Sequence, residues 1–190
     1  MPLYALRHGA TPTGGFRGRL DDELTAEGWA QMHAGLKDAP AWQAIVSSPL
    51  KRCRLFAEQL ANQLGLPLEL DEHLRELDFG QWEGRSASDL LADPAQADAL
   101  SRFWQDPYQH PPSGGETLHA FEARVLNAWQ RHSLAAQQHT VLLVCHAGVI
   151  RQLLRLAQGQ PRSALLQAMV DHGSLHAIPL FTEECACAPH

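Results

Sequence analysis

The chain has 190 residues, of which 45% are hydrophobic and 19% charged. That length and balance fit one globular domain with a substantial core, and they argue against a disordered or fibrous protein. A net charge of −6 argues against a general nucleic-acid binder, which needs a basic face, and no apolar stretch approaches the ~20 residues of a membrane helix.

The opening Met1-Pro2-Leu3-Tyr4 lacks the charged region and cleavage site of a signal peptide. Cys53, Cys145, Cys185 and Cys187 are not spaced as a disulfide framework, so a reducing cytoplasm is the expected compartment.

In chain order, an apolar run predicts a strand over 3–7 that delivers Arg7-His8-Gly9 at its end. Thr25 is placed to cap a helix carrying Trp29, Met32 and Leu36 on one face. A second strand is expected over 43–47. Ser48-Pro49 then supplies a cap and a first-turn proline for a helix with the stripe Cys53, Phe56, Ala57, Leu60, Ala61 and Leu64. A third strand follows over 67–70.

The stretch 85–113 reads differently. It holds two short helical patterns, the aromatics Phe103, Trp104 and Tyr108, and the run His110-Pro111-Pro112-Ser113-Gly114-Gly115. It is expected to be a cap-like insertion within a single domain spanning 1–190. Thr117 starts another helix with Leu118, Phe121, Val125 and Trp129 inward. A strand over 141–145 runs into His146-Ala147-Gly148 and then a helix carrying Val149, Ile150, Leu153 and Leu154. A last strand is expected over 174–180, and the tail from Thr182 to His190 has little pattern. The alternation predicts an α/β fold, a three-layer α/β/α sandwich with a mostly parallel central sheet.

Two buried-type strands thus each end in a histidine and a glycine, at the sheet edge where open parallel sheets bind ligands. Arg52 in a helix's first turn and Glu76 a few residues past the third strand fall on the same edge. Arginine forks and the freed amides around Ala147 and Gly148 suit a phosphoryl group. A neutral histidine can attack phosphorus, a carboxylic acid can protonate the leaving oxygen, and a second histidine, if cationic, can stabilise the equatorial oxygens.

At these residues the chain resembles the histidine phosphatase (phosphoglycerate mutase-like) superfamily along nearly its whole length. The runs that carry the likeness are Leu6-Arg7-His8-Gly9-Ala10-Thr11, Gly18 to Gly28, Ser47 to Arg52, Leu74 to Gly84, Gly114-Gly115-Glu116 and Val144 to Arg151. The resemblance implies His8 as the phosphorylated nucleophile, Arg7 and Arg52 as phosphate ligands, His146 as a catalytic and phosphate-binding residue, and Glu76 as general acid/base. It implies no cofactor and no metal ion, and a small-molecule phosphomonoester as partner.

One departure is clear. The family often has a phosphate-binding asparagine a few residues after the threonine, whereas here the run is Thr11-Pro12-Thr13-Gly14-Gly15. Thr13, a backbone amide or Arg17 is left to supply that contact. The short insertion and tail favour a phosphatase over a mutase. Within the phosphatases, the runs Arg17 to Asp22, Glu76 to Arg85 and Phe103 to Tyr108 look like the bacterial alpha-ribazole phosphatase group of cobalamin biosynthesis. A broad-specificity phosphatase of sugar phosphates or nucleotides is the alternative, ahead of a protein phosphohistidine phosphatase or a phosphate-binding non-enzyme.

Several residues carry a competing reading. Glu83 rivals Glu76. Cys145 beside His146 suggests a thiol–imidazole pair, but neighbours on a strand point to opposite faces, and Cys145 is expected in the core. The aromatics of 85–113 could stack a flat base or form a small core of their own. His172 and His176 are placed to approach the site from the last strand, with a structural role the favoured reading, and Cys185, Cys187 and His190 match no common zinc spacing.

Overall fold

The structure, a computed structural model, describes residues 3–182. Five strands, β1 (Leu3–Arg7), β2 (Ala44–Ser47), β3 (Leu68–Leu70), β4 (Val141–Cys145) and β5 (Leu175–Ile178), form one sheet in the order β3-β2-β4-β1-β5. The first four run parallel, and β5 lies antiparallel to β1.

Side-chain alternation along the strands divides the core into two layers. Leu3 and Ala5 of β1 and Val141, Leu143 and Cys145 of β4 face a cluster shared with helices α5 (Leu118–Ala136) and α6 (Ala147–Ala157). Leu6, Leu142 and Val144 face the other cluster, with α1 (Ala26–Gly35) and α2 (Lys51–Leu64). Helices on both faces explain why β4 is buried at every residue, as a central parallel strand must be. The expected three-layer sandwich is therefore what the chain forms.

The starts of α1 and α5 follow local chemistry, whereas those of α2 and α6 have no side-chain cap from their own N-cap residues. Thr25 Oγ1 accepts from the Gly28 amide at 3.0 Å and Thr117 Oγ1 from the Ala120 amide at 3.2 Å. Ser48-Pro49 does not open α2. That helix begins at Lys51, Leu50 offers it no side-chain cap, and Asp21 Oδ1 takes the Lys51 amide at 2.7 Å. Leu64, expected on the buried stripe, is largely exposed because α2 ends there at Gly65.

The segment 85–113 carries α3 (Ala87–Ala92), begun by a Ser86–Asp89 capping box, and α4 (Pro94–Gln105), with proline in its first turn. Leu90, Leu100, Phe103 and Tyr108 join the α5/α6 cluster, so this segment shares the main core and has no separate one. No helix among the described residues is long and apolar enough to cross a membrane. Cys185, Cys187 and His190 lie outside the described residues.

Candidate active site

β1 and β4 are neighbours, and β1 is followed by a helix on one face while β4 is followed by a helix on the other. A crevice opens between their C-terminal ends. His8 and His146 stand at its two sides, with ring centroids 5.2 Å apart and the rings nearly edge to face.

The His8 amide extends the ladder by donating to Cys145 O at 3.0 Å, and the chain then turns at Gly9. A Cβ on Gly9 would sit 2.0 Å from Gly28 O, so only glycine lets α1 approach this turn. His8 Nδ1 lies 2.8 Å from Gly9 O. A carbonyl can only accept, so the proton is on Nδ1 and the lone pair is on Nε2. Burial, then the positive charges of Arg52 and Arg7, outweigh that hydrogen bond and push the imidazole well below its ordinary 6.5. His8 is a neutral, oriented base.

His146 is fully buried and neutral for the same reasons, burial first and the Arg52 charge next. Arg52 Nε donates to its Nδ1 at 3.2 Å, which puts the ring proton on Nε2, 2.8 Å from Ser48 Oγ. His146 therefore has both nitrogens engaged by the protein and no charge, so the condition under which it would stabilise the equatorial oxygens, a cationic ring, is not met. Arg52 is equally enclosed. Nη1 donates to Leu20 O at 2.6 Å and Nη2 to Arg17 O and Gly18 O at 3.0 Å each. It braces the 17–20 loop, and its charge is the largest influence after burial in lowering His8.

The two rival carboxylates separate cleanly. Glu76 is buried, with Oε1 accepting from its neighbour's amide at Leu77 (3.0 Å) and Oε2 from Gly148 N (2.9 Å) in the first turn of α6. Glu83 instead accepts from the amides of Gly18, Arg19, Leu20 and Phe79 at 2.9 to 3.3 Å. Glu83 organises a loop, while Glu76 faces open space.

That space is a pair of joined cavities. A polar one of about 400 Å³ is lined by Arg7, His8, Arg17, Glu76, Arg151 and His172, among others. An apolar one of about 320 Å³ is walled by Phe103, Trp104, Leu118, Phe121, Leu165 and Leu166. Phe16, Glu76, Phe79 and Arg151 belong to both. Arg7 Nη1 donates to Val170 O at 2.6 Å, and its buried Nε has no hydrogen-bond partner. Thr13, Gly14 and Gly15 also line the polar cavity, and Arg17 Nε donates to Thr13 O at 2.6 Å.

Cys145 is packed in the core as expected, and burial raises its thiol well above the ordinary range. Cys53 lies 3.7 Å from His146 Nε2, and burial pushes its thiol up to about 12. Both stay protonated thiols, so neither is a thiolate nucleophile.

A strand-end histidine in an arginine-rich crevice, beside a carboxyl, over an α/β/α sheet is the architecture the sequence motifs implied, and residues 3–188 match the histidine phosphatase superfamily (branch 1). The chain belongs to the histidine phosphatase superfamily. This histidine phosphatase is 30% identical over 187 residues to adenosylcobalamin/alpha-ribazole phosphatase of Escherichia coli (strain K12), a match covering 95% of the chain and 90% of the relative. It is 31% identical to glucosyl-3-phosphoglycerate phosphatase of Mycolicibacterium vanbaalenii, covering 84% of the chain and 75% of the relative. Its fold matches the crystal structure of the alpha-ribazole phosphatase from Shigella flexneri with a TM-score of 0.79 at 31% identity, over 93% and 89% of the two chains.

Two residues lining the histidine phosphatase's crevice carried too little weight in the sequence. His172, read as structural, lies in the turn before β5, with its ring centroid 5.7 Å from that of His8. Its Nε2 accepts from Arg7 Nη2 at 2.9 Å, which leaves the proton on Nδ1. Arg151 stands where the two cavities meet, tethered only by Nε to Ala168 O at 3.0 Å. Its place one helical turn after Ala147 was the available signal. His176 bonds to Ser174 Oγ and is not among the cavity-lining residues.

Proposed function

We propose that this protein hydrolyses phosphomonoesters through a phosphohistidine on His8, and that its substrate is alpha-ribazole 5'-phosphate. The observation that carries the reading is the joining of a cationic cavity holding His8 to an aromatic-walled cavity across Glu76.

In the first step His8 Nε2 attacks phosphorus and the P–O bond to the substrate breaks, while protonated Glu76 gives its proton to the leaving oxygen. In the second, the Glu76 carboxylate takes a proton from water, the water oxygen attacks phosphorus and the P–N bond breaks. Inorganic phosphate leaves, and His8 and Glu76 return to their starting states. Arg7 lines the polar cavity and is steadied by Val170 O and His172. Arg151 adds charge at the cavity wall, where Arg17 is ion-paired with Asp22. Arg52 contributes its field, and His146 holds Arg52 and Ser48 in place. The arginines supply the charge these steps require, so no metal ion enters them.

The apolar cavity supports the substrate assignment. Trp104, 45% exposed at that wall, offers a ring face to a flat benzimidazole beside the half-buried Phe16 and Phe79, with the ribose at the Arg151 and Glu76 junction. Relatives with that activity in their names share the whole fold, and the reaction would belong to cobalamin biosynthesis. The test is kcat/KM for alpha-ribazole 5'-phosphate against 3-phosphoglycerate, sugar phosphates and nucleotides. A preference of about 100-fold or more is expected from a filled apolar pocket. Equal values across the panel would make it a broad-specificity phosphatase instead.

A further inference from the structure

Glu76 sits in a stretch with no regular backbone ladder, between 3₁₀ turns at Glu72–Leu74 and Gly80–Trp82. Something must hold its main chain. Arg124, on α5, donates from Nη1 to His73 O at 2.8 Å and Arg75 O at 2.6 Å, and from Nη2 to Glu76 O at 3.0 Å. Its other two hydrogens go to Glu116, Nε to Oε1 at 2.7 Å and Nη2 to Oε2 at 2.8 Å. All five guanidinium hydrogens are thereby used. Glu116 is itself tied to the same stretch, its amide donating to Asp78 O at 3.0 Å.

We propose that Arg124, oriented by Glu116, is the positioning residue that fixes the Glu76 carboxyl for proton transfer to the leaving group. Arg124 lines neither cavity. It acts through three carbonyls on the backbone that carries Glu76, the third belonging to Glu76 itself. A lysine there would keep the charge and lose the fork, so it could satisfy only part of this set. The inference rests on Glu76 being the general acid, and it adds what keeps that acid in place.

The test reads leaving-group dependence. For wild type, Glu76→Gln, Arg124→Lys and Glu116→Gln, kcat/KM is measured over aryl and alkyl phosphates of increasing leaving-group pKa, together with thermal unfolding. A good leaving group such as 2,4-dinitrophenolate needs no proton, whereas an alkoxide does. The expected result is a steep slope for Glu76→Gln and an intermediate one for Arg124→Lys. That variant should lose about 10- to 100-fold on alkyl phosphates and little on the dinitrophenyl ester. Glu116→Gln should follow it more weakly, and it carries the test if Arg124→Lys does not fold. A steep Glu76→Gln slope, with the Arg124 and Glu116 variants parallel to wild type, overturns the proposal alone. A Glu76→Gln slope equal to wild type removes the acid reading and the positioning role with it.

Discussion

The Gly148 amide donates to Glu76 Oε2 at 2.9 Å, and a Cβ at position 148 would stand 2.2 Å from Oε1 of the same carboxyl. The third residue of the His146-Ala147-Gly148 turn is therefore shaped for a carboxylate that arrives from elsewhere in the chain. Alanine favours helix more than glycine does, so Gly148→Ala costs the fold little locally, yet it must push Glu76 aside. We expect kcat/KM to fall about 100-fold with the thermal midpoint nearly unchanged. Wild-type activity in Gly148→Ala would contradict the placement of Glu76.

Glu76 and Glu83 predict opposite phenotypes. Glu76→Gln should lose about 10²- to 10⁴-fold in kcat and cost about 1 kcal/mol in urea unfolding, because one of its two amide acceptors becomes a donor. Glu83→Gln puts an amide NH2 among four backbone N–H donors. It should cost about 1–3 kcal/mol of stability, and activity should fall only as the 18–20 loop loosens. Reversed phenotypes would exchange the two roles.

The buried imidazoles set a pH dependence. Unfolded, His8 and His146 titrate near 6.5; folded, both stay neutral well below that, chiefly through burial. Between those limits the unfolded chain holds more protons. Stability is full above pH 6.5 and falls below it, by about 1.4 kcal/mol per pH unit for each ring. Asp71 and Glu122 act lower. Burial raises both, but hydrogen bonds from His132 and the His73 amide to Asp71, and from Arg162 and Tyr108 to Glu122, win and hold each at about 2. Their contribution is present above their unfolded values of 3.8 and 4.5 and is lost toward pH 2. His8→Asn should thus flatten the decline between pH 6.5 and 5, measured as urea midpoints. An unchanged slope would mean His8 is protonated in the fold.

Trp104 and Tyr108, four residues apart, divide binding from stability. Trp104 is 45% exposed at the apolar cavity wall. Tyr108 is buried, its hydroxyl bonded to Glu122 in a network with Gln152 and Arg155. Trp104→Ala should raise KM for aromatic-bearing phosphates about 10-fold or more and leave glycerol phosphate kinetics and thermal stability nearly unchanged. Tyr108→Phe should lower stability by about 1–2 kcal/mol with KM unchanged. A KM effect confined to Tyr108→Phe would reassign the aromatic wall.

The sequence made the framework legible wherever the signal was local. Val141 to Cys145 is an unbroken apolar run because both faces of β4 are covered, and Thr25 and Thr117 cap helices that begin beside them. Long-range signals were hidden. Ser48-Pro49 has the local form of a helix start, yet the Ser48 hydroxyl is held by a ring 98 residues away, and the free α2 amide is met by Asp21. The first-turn position of Arg52 was readable, but its carbonyl partners at 17, 18 and 20 depend on how a loop folds back. His172 sits in a turn with no periodicity to mark it, and only the antiparallel pairing of β5 brings that turn beside His8. Tyr108 shared a cluster of aromatics with Phe103 and Trp104, and its burial is decided by Glu122 on another helix.

The central claim is that His8 Nε2 carries the phosphoryl group between substrate and water. Rapid acid-free quenching of a turnover with ³²P-labelled substrate, followed by peptide mapping, tests it most directly. The account predicts stoichiometric label on the peptide containing His8, labile to acid and stable to base, formed and discharged at least as fast as kcat and absent in His8→Asn. Full activity in His8→Asn, or label on any other side chain, would contradict it.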